Sequence, residues 1–304
     1  MDIIQKLTEE IQVKRGQVEA AVKLIDEGNT IPFISRYRKE ATGSLNDEQL
    51  RTLHERLLYL RNLEDKKKQV LSSIEDQGKL TKELKEQMQI TRQLTKAGME
   101  FCEGILEGQD VVVVRSGVGK VNAAVCTQIL IDDFDAEVVI NTGIAGSLNA
   151  DINIGDIVVS TDLIHHDMNA VNFGYEPGQI PQMDVFSFEA DKALADLAEK
   201  VCEEVNPEIQ VFHGRVVSGD QFIADKETKE NISTLFAGYC TEMEGAAIAQ
   251  TAHLNEVPFV VLRAISDKAD DSASMDYPTF EKQAVAHSVR LVRGMMKNLA
   301  AKEA

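Results

Sequence analysis

Two acidic side chains near the C-terminal end of the chain have the sequence surroundings of an active site. Asp267 follows the apolar run 259–262, which predicts a buried strand, and open α/β sheets bind ligands beyond the carboxyl ends of such strands. Glu244 lies in Glu-Met-Glu-Gly at 242–245, where an Ala-rich helical stretch begins. Carboxylates from two elements could therefore converge at one sheet edge and serve acid-assisted bond cleavage. Taken singly, Asp267 could instead cap a helix, and Glu244 could be a solvated charge.

Three further junctions rich in small residues each follow a predicted strand. They are Ser-Gly-Val-Gly-Lys at 116–120, Asn-Thr-Gly-Ile-Ala-Gly at 141–146 and Ser-Gly-Asp-Gln-Phe-Ile at 218–223. Glycines let backbone amides approach a ligand, and small residues such as Ala145 and Gly146 leave room for a flat molecule. Phe222 could stack on a heteroaromatic ring. Each junction alone could be a plain turn, but their occurrence together predicts one binding site at a shared sheet edge.

Support for a metal centre or a redox site is weak. Neighbouring residues of a strand point to opposite faces, so His165 and His166 would not ligate one ion, and no third ligand is evident. The cysteines lie at 102, 126, 202 and 240 and form no closely spaced pair. We therefore predict no metal site and expect buried, reduced thiols.

The apolar patterns place these residues in an α/β domain that follows a helical module. Residues 1–98 carry apolar residues at helical spacing, and we expect this region to be wholly helical. Gly28 and Gly78 are expected to end helices, and Asn46 with Gln49 resembles a capping box. Beyond residue 98, β-branched runs alternate with helical stretches, which favours an α/β fold with a mainly parallel core. The predicted strands are 111–114, 138–140, 157–159, 216–217 and 259–262, and the predicted helices are 121–131, 190–205, 245–254 and 277–299.

Charge is distributed unevenly between the two parts of the chain. Of the 32 Lys and Arg and the 50 Asp and Glu, residues 1–98 hold 18 and 16, which leaves 14 and 34 for the rest of a chain of net charge −18. The acidic part is unsuited to nucleic acids and anionic membranes, whereas the near-neutral part leaves the question open. With no leader and no apolar run long enough to span a bilayer, we expect a soluble, cytoplasmic protein. We expect two domains, a helical one at 1–90 and an α/β one at 91–304.

Further motifs complete a set that points to one known family. They are Phe-Gly-Tyr-Glu-Pro-Gly-Gln-Ile-Pro at 173–181 and Arg-Ala-Ile-Ser-Asp-Lys-Ala-Asp at 263–270. With the junctions above, they make residues 99–304 closely resemble 5′-methylthioadenosine/S-adenosylhomocysteine nucleosidases. The resemblance implies a nucleoside-phosphorylase-like α/β fold with a mixed sheet flanked by helices, a homodimer, no cofactor and a role in methionine salvage. The implied reaction is hydrolysis of the N-glycosidic bond of the two thio-nucleosides, which releases adenine.

The same resemblance implies a role for each candidate site residue. Asp267 would protonate or hydrogen-bond purine N7, and Ser266 would orient Asp267. Glu244 would bind the ribose hydroxyls, and Met243 would lie beneath the sugar. The remaining substrate-binding positions are Ala145 and Gly146 beside the ligand, Phe222 and Ile223 at the base, and Tyr277 at the 5′-alkylthio group, with Phe173 and Pro181 reaching in from a partner subunit.

The N-terminal residues resemble a second family. Gln-Val-Glu-Ala-Ala-Val at 17–22, Ile-Pro-Phe-Ile-Ser-Arg-Tyr-Arg-Lys-Glu at 31–40 and Gln-Gly-Lys-Leu-Thr at 77–81 are similar to the N-terminal helical module of Tex-type transcription accessory proteins. Residues 36–39 (Arg-Tyr-Arg-Lys) could contact a phosphate backbone, so a nucleic-acid partner for residues 1–90 is one interpretation. The alternative is a solvated or intramolecular charge cluster.

The chain departs from the nucleosidase pattern at its first strand. The resemblance implies an initial apolar strand that ends in Gly-Ala-Met-Glu-Glu-Glu and supplies the glutamate that activates the attacking water. This chain has no such segment before Met99, and Glu83 and Glu86 lie in a polar helical context. We expect the missing strand to lower stability, and the missing base to reduce the rate by about 10² to 10⁴-fold.

Three functional hypotheses follow. The chain is a nucleosidase with reduced activity, a catalytically inactive adenine-nucleoside-binding protein, or an RNA- or transcription-associated helical module with a passenger domain. A phosphorylase of the same fold is a further rival, which dependence on phosphate would distinguish.

Overall fold

The computed structural model divides into two compact units, residues 1–71 and residues 72–304. It describes residues 3–223, 225–268 and 277–303, with the side chains of 62–78, 277–282 and 301–303 left out of the description. Within this part of the chain, no helix is both long and apolar enough to cross a membrane. The helical N-terminal region and the α/β fold that follows it confirm the predicted fold class.

The first unit is built from helices that share one apolar core. Its helices are α1 (Ile3–Ile11), α2 (Arg15–Asp26), α3 (Ile31–Tyr37) and the first part of α4 (Asp47–Gln87). Leu7, Val18 and Ile34 are fully buried together with the leucines at the start of α4. The predicted capping box is present, because Asn46 Oδ1 accepts from the amide of Gln49 at 2.8 Å and Gln49 Oε1 accepts from the amide of Asn46 at 3.1 Å.

The expected helix end at Gly78 is wrong, since α4 runs unbroken from Asp47 to Gln87. One glycine inside a helix costs only about 1 kcal/mol relative to alanine, which neighbouring packing can offset. Here the turns beyond Gly78 bury Leu80, Leu84 and Met88 in the main core of the second unit. Tertiary packing therefore outweighs the local preference of the glycine.

The expectation of helix throughout residues 1–98 is also wrong. Residues 89–96 form strand β1 (Gln89–Lys96), which pairs antiparallel with β2 (Met99–Leu106), and β2 pairs with β3 (Gln109–Val114). Both connections are two-residue turns of positive φ, at 97–98 and 107–108, as twisted hairpins require. Most residues of β1 are polar and exposed, so no apolar alternation marked this edge strand.

The remaining elements form a mixed sheet with helices on its faces, as predicted. The strands are β4 (Val139–Ser147), β5 (Ile157–His165), β6 (Phe188–Glu189), β7 (Val211–Ser218), β8 (Cys240–Glu242) and β9 (Phe259–Asp267), and the helices are α5 (Lys120–Phe134), α6 (Lys192–Val205), α7 (Lys226–Phe236), α8 (Gly245–Leu254) and α9 (Tyr277–Glu303). The strand order is β6-β5-β7-β8-β4-β9, and β5 also pairs with β9. Five strands therefore close into a ring, with β6 on its edge.

Alternate residues of the ring strands belong to two different buried clusters. Val159 and Leu262 pack with residues of α6 and α9, whereas Val158 and Val261 pack with the alanines of α8. This separation follows from the two-residue period of a strand, which sends successive side chains to opposite faces. Because helices pack on both faces of these strands, their sequences are continuous apolar runs.

Strand register brings the predicted junctions to one place. Gly146 at the end of β4 lies opposite Asp267 of β9 on one side and opposite Thr241 of β8 on the other. Ser218 at the end of β7 lies opposite Glu242 of β8. The carboxyl ends of β4, β7, β8 and β9 therefore meet around one region, which is the edge that the sequence indicated.

The three-stranded sheet and the six-stranded sheet share no strand pairing in the described residues. Beyond its two-residue contact with β8, β4 pairs with β9 alone, and β3 pairs with β2 alone. No described strand precedes Gln89. The side chain oxygen of Asn141 on β4 is buried without a hydrogen-bond partner.

We predict that Leu84→Ala destabilises the second unit by about 2–4 kcal/mol, because it leaves a cavity where the end of α4 packs in the main core. Urea melts of the full chain would measure the loss. Leu235→Ala, at a position of α7 that is 60% exposed, is the matched control and should change stability by less than about 0.5 kcal/mol. Equal losses for the two variants would contradict the packing of α4 described above.

Candidate active site

The site is built around a buried ion pair between β8 and β9. Arg263, on β9, is only 2% exposed, and its Nη2 lies 2.5 Å from Oε2 of Glu242 and 4.0 Å from Oε2 of Glu244. A buried guanidinium is tolerated only when charges of opposite sign and hydrogen bonds compensate for lost water. The pair therefore fixes the end of β8 against the middle of β9.

Glu242 gathers donors from several elements. Its carboxylate accepts hydrogen bonds from the Ser218 hydroxyl and from the amides of Glu244, at 2.9 Å, and Gly245, at 2.7 Å. Burial works to raise the pKa of Glu242, but the charge of Arg263 and these hydrogen bonds outweigh it and hold the pKa below its ordinary value. Glu242 is thus a permanent buried anion at the start of α8.

Glu244 has the opposite electrostatic behaviour. It precedes the first turn of α8, and its Oε1 accepts from the amide of Gly119 at 2.9 Å. Burial, and then the neighbouring charge of Glu242, raises the pKa of Glu244 to about 7. This side chain connects the glycine junction 116–120 to α8 and can carry or release a proton near neutral pH.

Both oxygens of Asp267 are held by protein donors. Ser266 Oγ lies 2.9 Å from Asp267 Oδ1 and 3.2 Å from the carbonyl oxygen of Ala145, so its proton is shared between two acceptors. The ammonium of Lys229, on α7, donates to Asp267 Oδ2 at 2.6 Å. The Asp267 side chain is still 30% exposed, so a ligand can reach it.

Gly146 sits directly against the Asp267 carboxyl group. A Cβ atom at this position would lie 3.2 Å from each of the two Asp267 oxygens, closer than most real contacts of this kind. A side chain here would push the carboxyl group aside. The small residues predicted to make room for a ligand, Ala145 and Gly146, are therefore the residues that border the candidate acid.

Hydrogen bonds of two acidic side chains and one basic side chain connect three segments that follow strands. Lys120 Nζ lies 2.7 Å from Asp167 Oδ1, and Asp167 Oδ2 accepts from the amide of Asp220 at 2.9 Å. In turn Asp220 Oδ1 accepts from the amide of Lys120 at 2.8 Å. This closed set of contacts holds the junctions 116–120 and 218–223 against the segment after β5.

The histidines at the end of β5 are engaged in packing and hydrogen bonding. His165 Nε2 lies 3.0 Å from Gln250 Oε1, and burial lowers the pKa of both His165 and His166. Both rings are therefore neutral at pH 7. Across the described residues, no cluster of three or more His, Cys, Asp or Glu side chains is arranged to hold a metal ion.

The apolar candidate positions differ in exposure. Ile223 is buried, Met243 is half-buried between the two glutamates, and Phe222 is 44% exposed at the junction after β7. Phe173 lies in a short 3-10 helix at 171–173 and is 85% exposed, and Pro181 is half-buried. Tyr277 is the first residue of α9, and its side chain lies outside the described residues.

Sequence reasoning missed three charged residues of this site. Arg263 and Glu242 stand inside or beside apolar runs, where a charged residue needs a partner, and that signal could have found them. Lys229 lies in a helix of charged residues, and no local pattern distinguishes it from its exposed neighbours Lys226 and Glu230. Only the tertiary fold reveals its partner.

Both parts of the chain match known families. Residues 72–297 match the phosphorylase superfamily, and residues 1–75 match the Tex-like protein N-terminal domain. The two resemblances indicated by the sequence motifs are thereby confirmed.

Sequences and structures of nucleosidases align with most of the second unit. The 5′-methylthioadenosine/S-adenosylhomocysteine nucleosidase of Bacillus cereus (strain G9842) is 40% identical over 231 residues, which are 76% of this chain and 98% of the relative. The crystal structure of the Neisseria meningitidis nucleosidase with methylthio-immucillin-A has a TM-score of 0.67 and 39% identity, and it covers 72% of this chain and 94% of that one. The Colwellia psychrerythraea nucleosidase in complex with adenine has a TM-score of 0.67 and 36% identity, with coverage of 74% and 91%.

We predict that Glu244→Gln stabilises the chain at alkaline pH but not at acidic pH. Because folding raises the pKa of Glu244 from 4.5 to about 7, the folded state binds more protons between these values, and stability falls as pH rises through them. The variant removes this penalty. Urea melts should therefore show a gain on the order of 2–3 kcal/mol at about pH 8, and little change at about pH 4.5.

Glu83→Gln, at an exposed position of α4, is the control and should show no such pH-dependent difference. A Glu244→Gln variant whose gain is the same at both pH values would contradict the assignment of this titration to Glu244.

Proposed function

Because this chain belongs to the phosphorylase superfamily, and within it to the 5′-methylthioadenosine/S-adenosylhomocysteine nucleosidases, we propose that it hydrolyses the N-glycosidic bond of these two nucleosides and releases adenine. The observation that carries this proposal is strand register, since Gly146 lies opposite Asp267 of β9 and opposite Thr241 of β8, the strand that leads to Glu244. A partly exposed carboxyl group and a buried cluster of charge stand there beside small residues that leave space for a ligand.

The geometry suits cleavage through a cation-like sugar. As the bond from C1′ to N9 breaks, its electron pair moves into the purine and positive charge develops on the sugar. A proton delivered by Asp267 to N7 makes adenine a better leaving group, and Ser266 holds the Asp267 carboxyl group. Glu244 binds the ribose hydroxyls, and its negative charge favours the cation-like sugar. Met243 lies beneath the sugar.

The proposed base and alkylthio contacts involve more than one element. Phe222 and Ile223 hold the base, and Tyr277 lines the pocket for the 5′-alkylthio group. We propose a homodimer in which Phe173 and Pro181 reach the site of the partner. The support is apolar surface near this segment, since Phe173 is 85% and Val171 48% exposed in the single chain.

Water, rather than phosphate, is the proposed acceptor of the sugar. The lysine of the glycine junction, Lys120, is neutralised by Asp167 at 2.7 Å. Its charge is therefore already compensated at the point where a phosphate would gain from a free cation. Adenine release should accordingly need no added phosphate.

We place this reaction in methionine salvage in the cytoplasm, without a cofactor. Support for the compartment comes from the four cysteines, which are all unpaired and buried, as is typical of proteins kept in reducing conditions.

A nucleic-acid partner for residues 1–90 stays a prediction of the sequence. The side chains of residues 36–39 are exposed at the end of α3, and the Arg38 guanidinium lies 5.6 Å from the centre of the Phe33 ring. Cations beside an exposed aromatic ring are the kind of surface that single-stranded nucleic acids use.

We predict that Asp267→Asn abolishes most adenine release from 5′-methylthioadenosine while substrate binding persists, since an amide cannot supply the proton that the leaving purine needs. The expected loss in kcat is about 10²-fold or more. A coupled adenine assay in phosphate-free buffer, with calorimetry for binding, would measure both.

Asp151→Asn, at an exposed loop position, is the control and should keep the activity of the unmodified chain. Full activity of Asp267→Asn would remove Asp267 from the reaction. Binding without adenine release by the unmodified chain would instead select the inactive nucleoside-binding protein.

We further predict slow turnover compared with the Bacillus cereus relative. Glu83 and Glu86 are exposed on α4, and no described strand precedes them to bring a water-activating carboxylate to the site. Loss of a general base should lower kcat by about 10² to 10⁴-fold, with a KM that changes much less. Side-by-side kinetics would test this, and equal kcat values would mean that another group of this chain activates the water.

A further inference from the structure

A lysine is buried behind the candidate acid. Lys229, in the first turns of α7, is only 2% exposed. Its ammonium donates to Asp267 Oδ2 at 2.6 Å and to the carbonyl oxygen of Lys268 at 3.1 Å. Burial of an ammonium costs free energy unless a partner compensates, so this placement is tied to the carboxylate.

The surroundings of Lys229 set it apart from the other charged residues of α7. Lys226, Glu227 and Glu230 are exposed on the same helix. Asp225 caps the helix by accepting from the Thr228 amide at 2.8 Å. The charge of Asp225, on the same helix, also acts on Lys229.

This pairing raises a question about the source of the proton. The proposed reaction requires Asp267 to deliver a proton to the purine, yet one oxygen faces the Ser266 hydroxyl and the other faces an ammonium. Both oxygens of Asp267 are therefore already engaged by groups of the protein. The nearest proton that can move lies on Lys229, at hydrogen-bond distance from Oδ2.

We propose that Lys229 supplies the proton that Asp267 passes to the departing purine, so that the two side chains act as one acid. Lys229 is a positioning residue in this scheme, since it acts through Asp267 and does not touch the substrate. The inference rests on the proposed function and deepens it.

The proton transfers balance over one turnover. The Lys229 ammonium first gives a proton to Asp267. When the bond from C1′ to N9 breaks, its electron pair enters the purine and N7 takes that proton from Asp267. Lys229 is then a neutral amine. The water that adds to C1′ releases one proton, and the amine takes one from solvent after adenine leaves, so the protein ends with its starting charge.

Two substitutions separate proton supply from structural support. Lys229→Arg keeps the positive charge beside Asp267, but a guanidinium does not release a proton at any pH of the assay. Lys229→Met keeps the length of the side chain and removes the charge. Lys226→Met, on the exposed face of the same helix, is the matched control.

We expect Lys229→Arg to melt close to the unmodified chain and to lose about tenfold or more in kcat, with KM within about threefold. We expect Lys229→Met to lose a similar factor at about pH 8 and to recover as pH falls towards about 5.5, because Asp267 can then take its proton from solvent. The Lys226→Met control should follow the unmodified chain throughout.

Three kinetic results would overturn the inference. Lys229→Arg could match the unmodified chain in kcat at every pH, Lys229→Met could lose the same factor at every pH, or Lys229→Met could be faster at neutral pH. The first would show that the ammonium proton is not used. The second would assign Lys229 a structural role only, and the third would mean that Lys229 restrains Asp267. If Lys229→Met does not fold, Lys229→Arg decides.

A binding measurement tests the same point without turnover. Calorimetry of adenine binding at about pH 8, in two buffers of different ionisation enthalpy, counts the protons taken up. We expect close to none for the unmodified chain and about one for Lys229→Met, because the variant must protonate Asp267 from solvent. Equal uptake by both proteins overturns this inference alone. An unmodified chain that neither binds nor releases adenine overturns the proposed function, and this inference with it.

Discussion

The buried pair of Arg263 and Glu242 is the interaction on which the rest of the site depends. Each charge has left water, and each is compensated by the other. Glu242 also receives the Ser218 hydroxyl and the first amides of α8, so a single carboxylate joins β7, β8, β9 and α8. Removal of either partner would leave an unpaired charge inside the ring of strands, which is among the most costly changes a protein core can undergo.

The charge of Glu242 also helps to raise the pKa of Glu244. Glu244 is two residues away, buried, and faces both an anion and, at a longer distance, the guanidinium. Its pKa of about 7 is therefore due first to burial and then to the charge of Glu242. Asp267 stands in a different environment, half open and held by Ser266 and Lys229. The two carboxyl groups of the site thus stand in different surroundings, Glu244 buried and Asp267 partly exposed.

Much of the fold was readable from the sequence because its core strands are buried on both faces. Runs such as 157–159 and 259–262 are apolar at every position, and α8 begins and ends where the alanine-rich pattern predicted. The polar edge strand β1 and the continuation of α4 through Gly78 were missed, because pairing and packing with distant residues decide both. The same limit applies to the site. The motifs indicated Asp267, Ser266 and Gly146, which lie together, but the contact from Lys229 joins residues 38 positions apart and has no local signature.

Closure of the strand ring has a consequence for how the chain acquires its structure during synthesis. The ring closes where Ile157 pairs with Ala264. More than a third of the chain lies between these two residues and must be synthesised before β5 can pair with β9. The core of the helical unit, by contrast, lies entirely within the first 60 residues. Helical contacts that are close in sequence form quickly, and distant strand pairings form slowly. In a nascent chain, the helical unit would therefore be folded while the α/β unit still exposes unpaired strands.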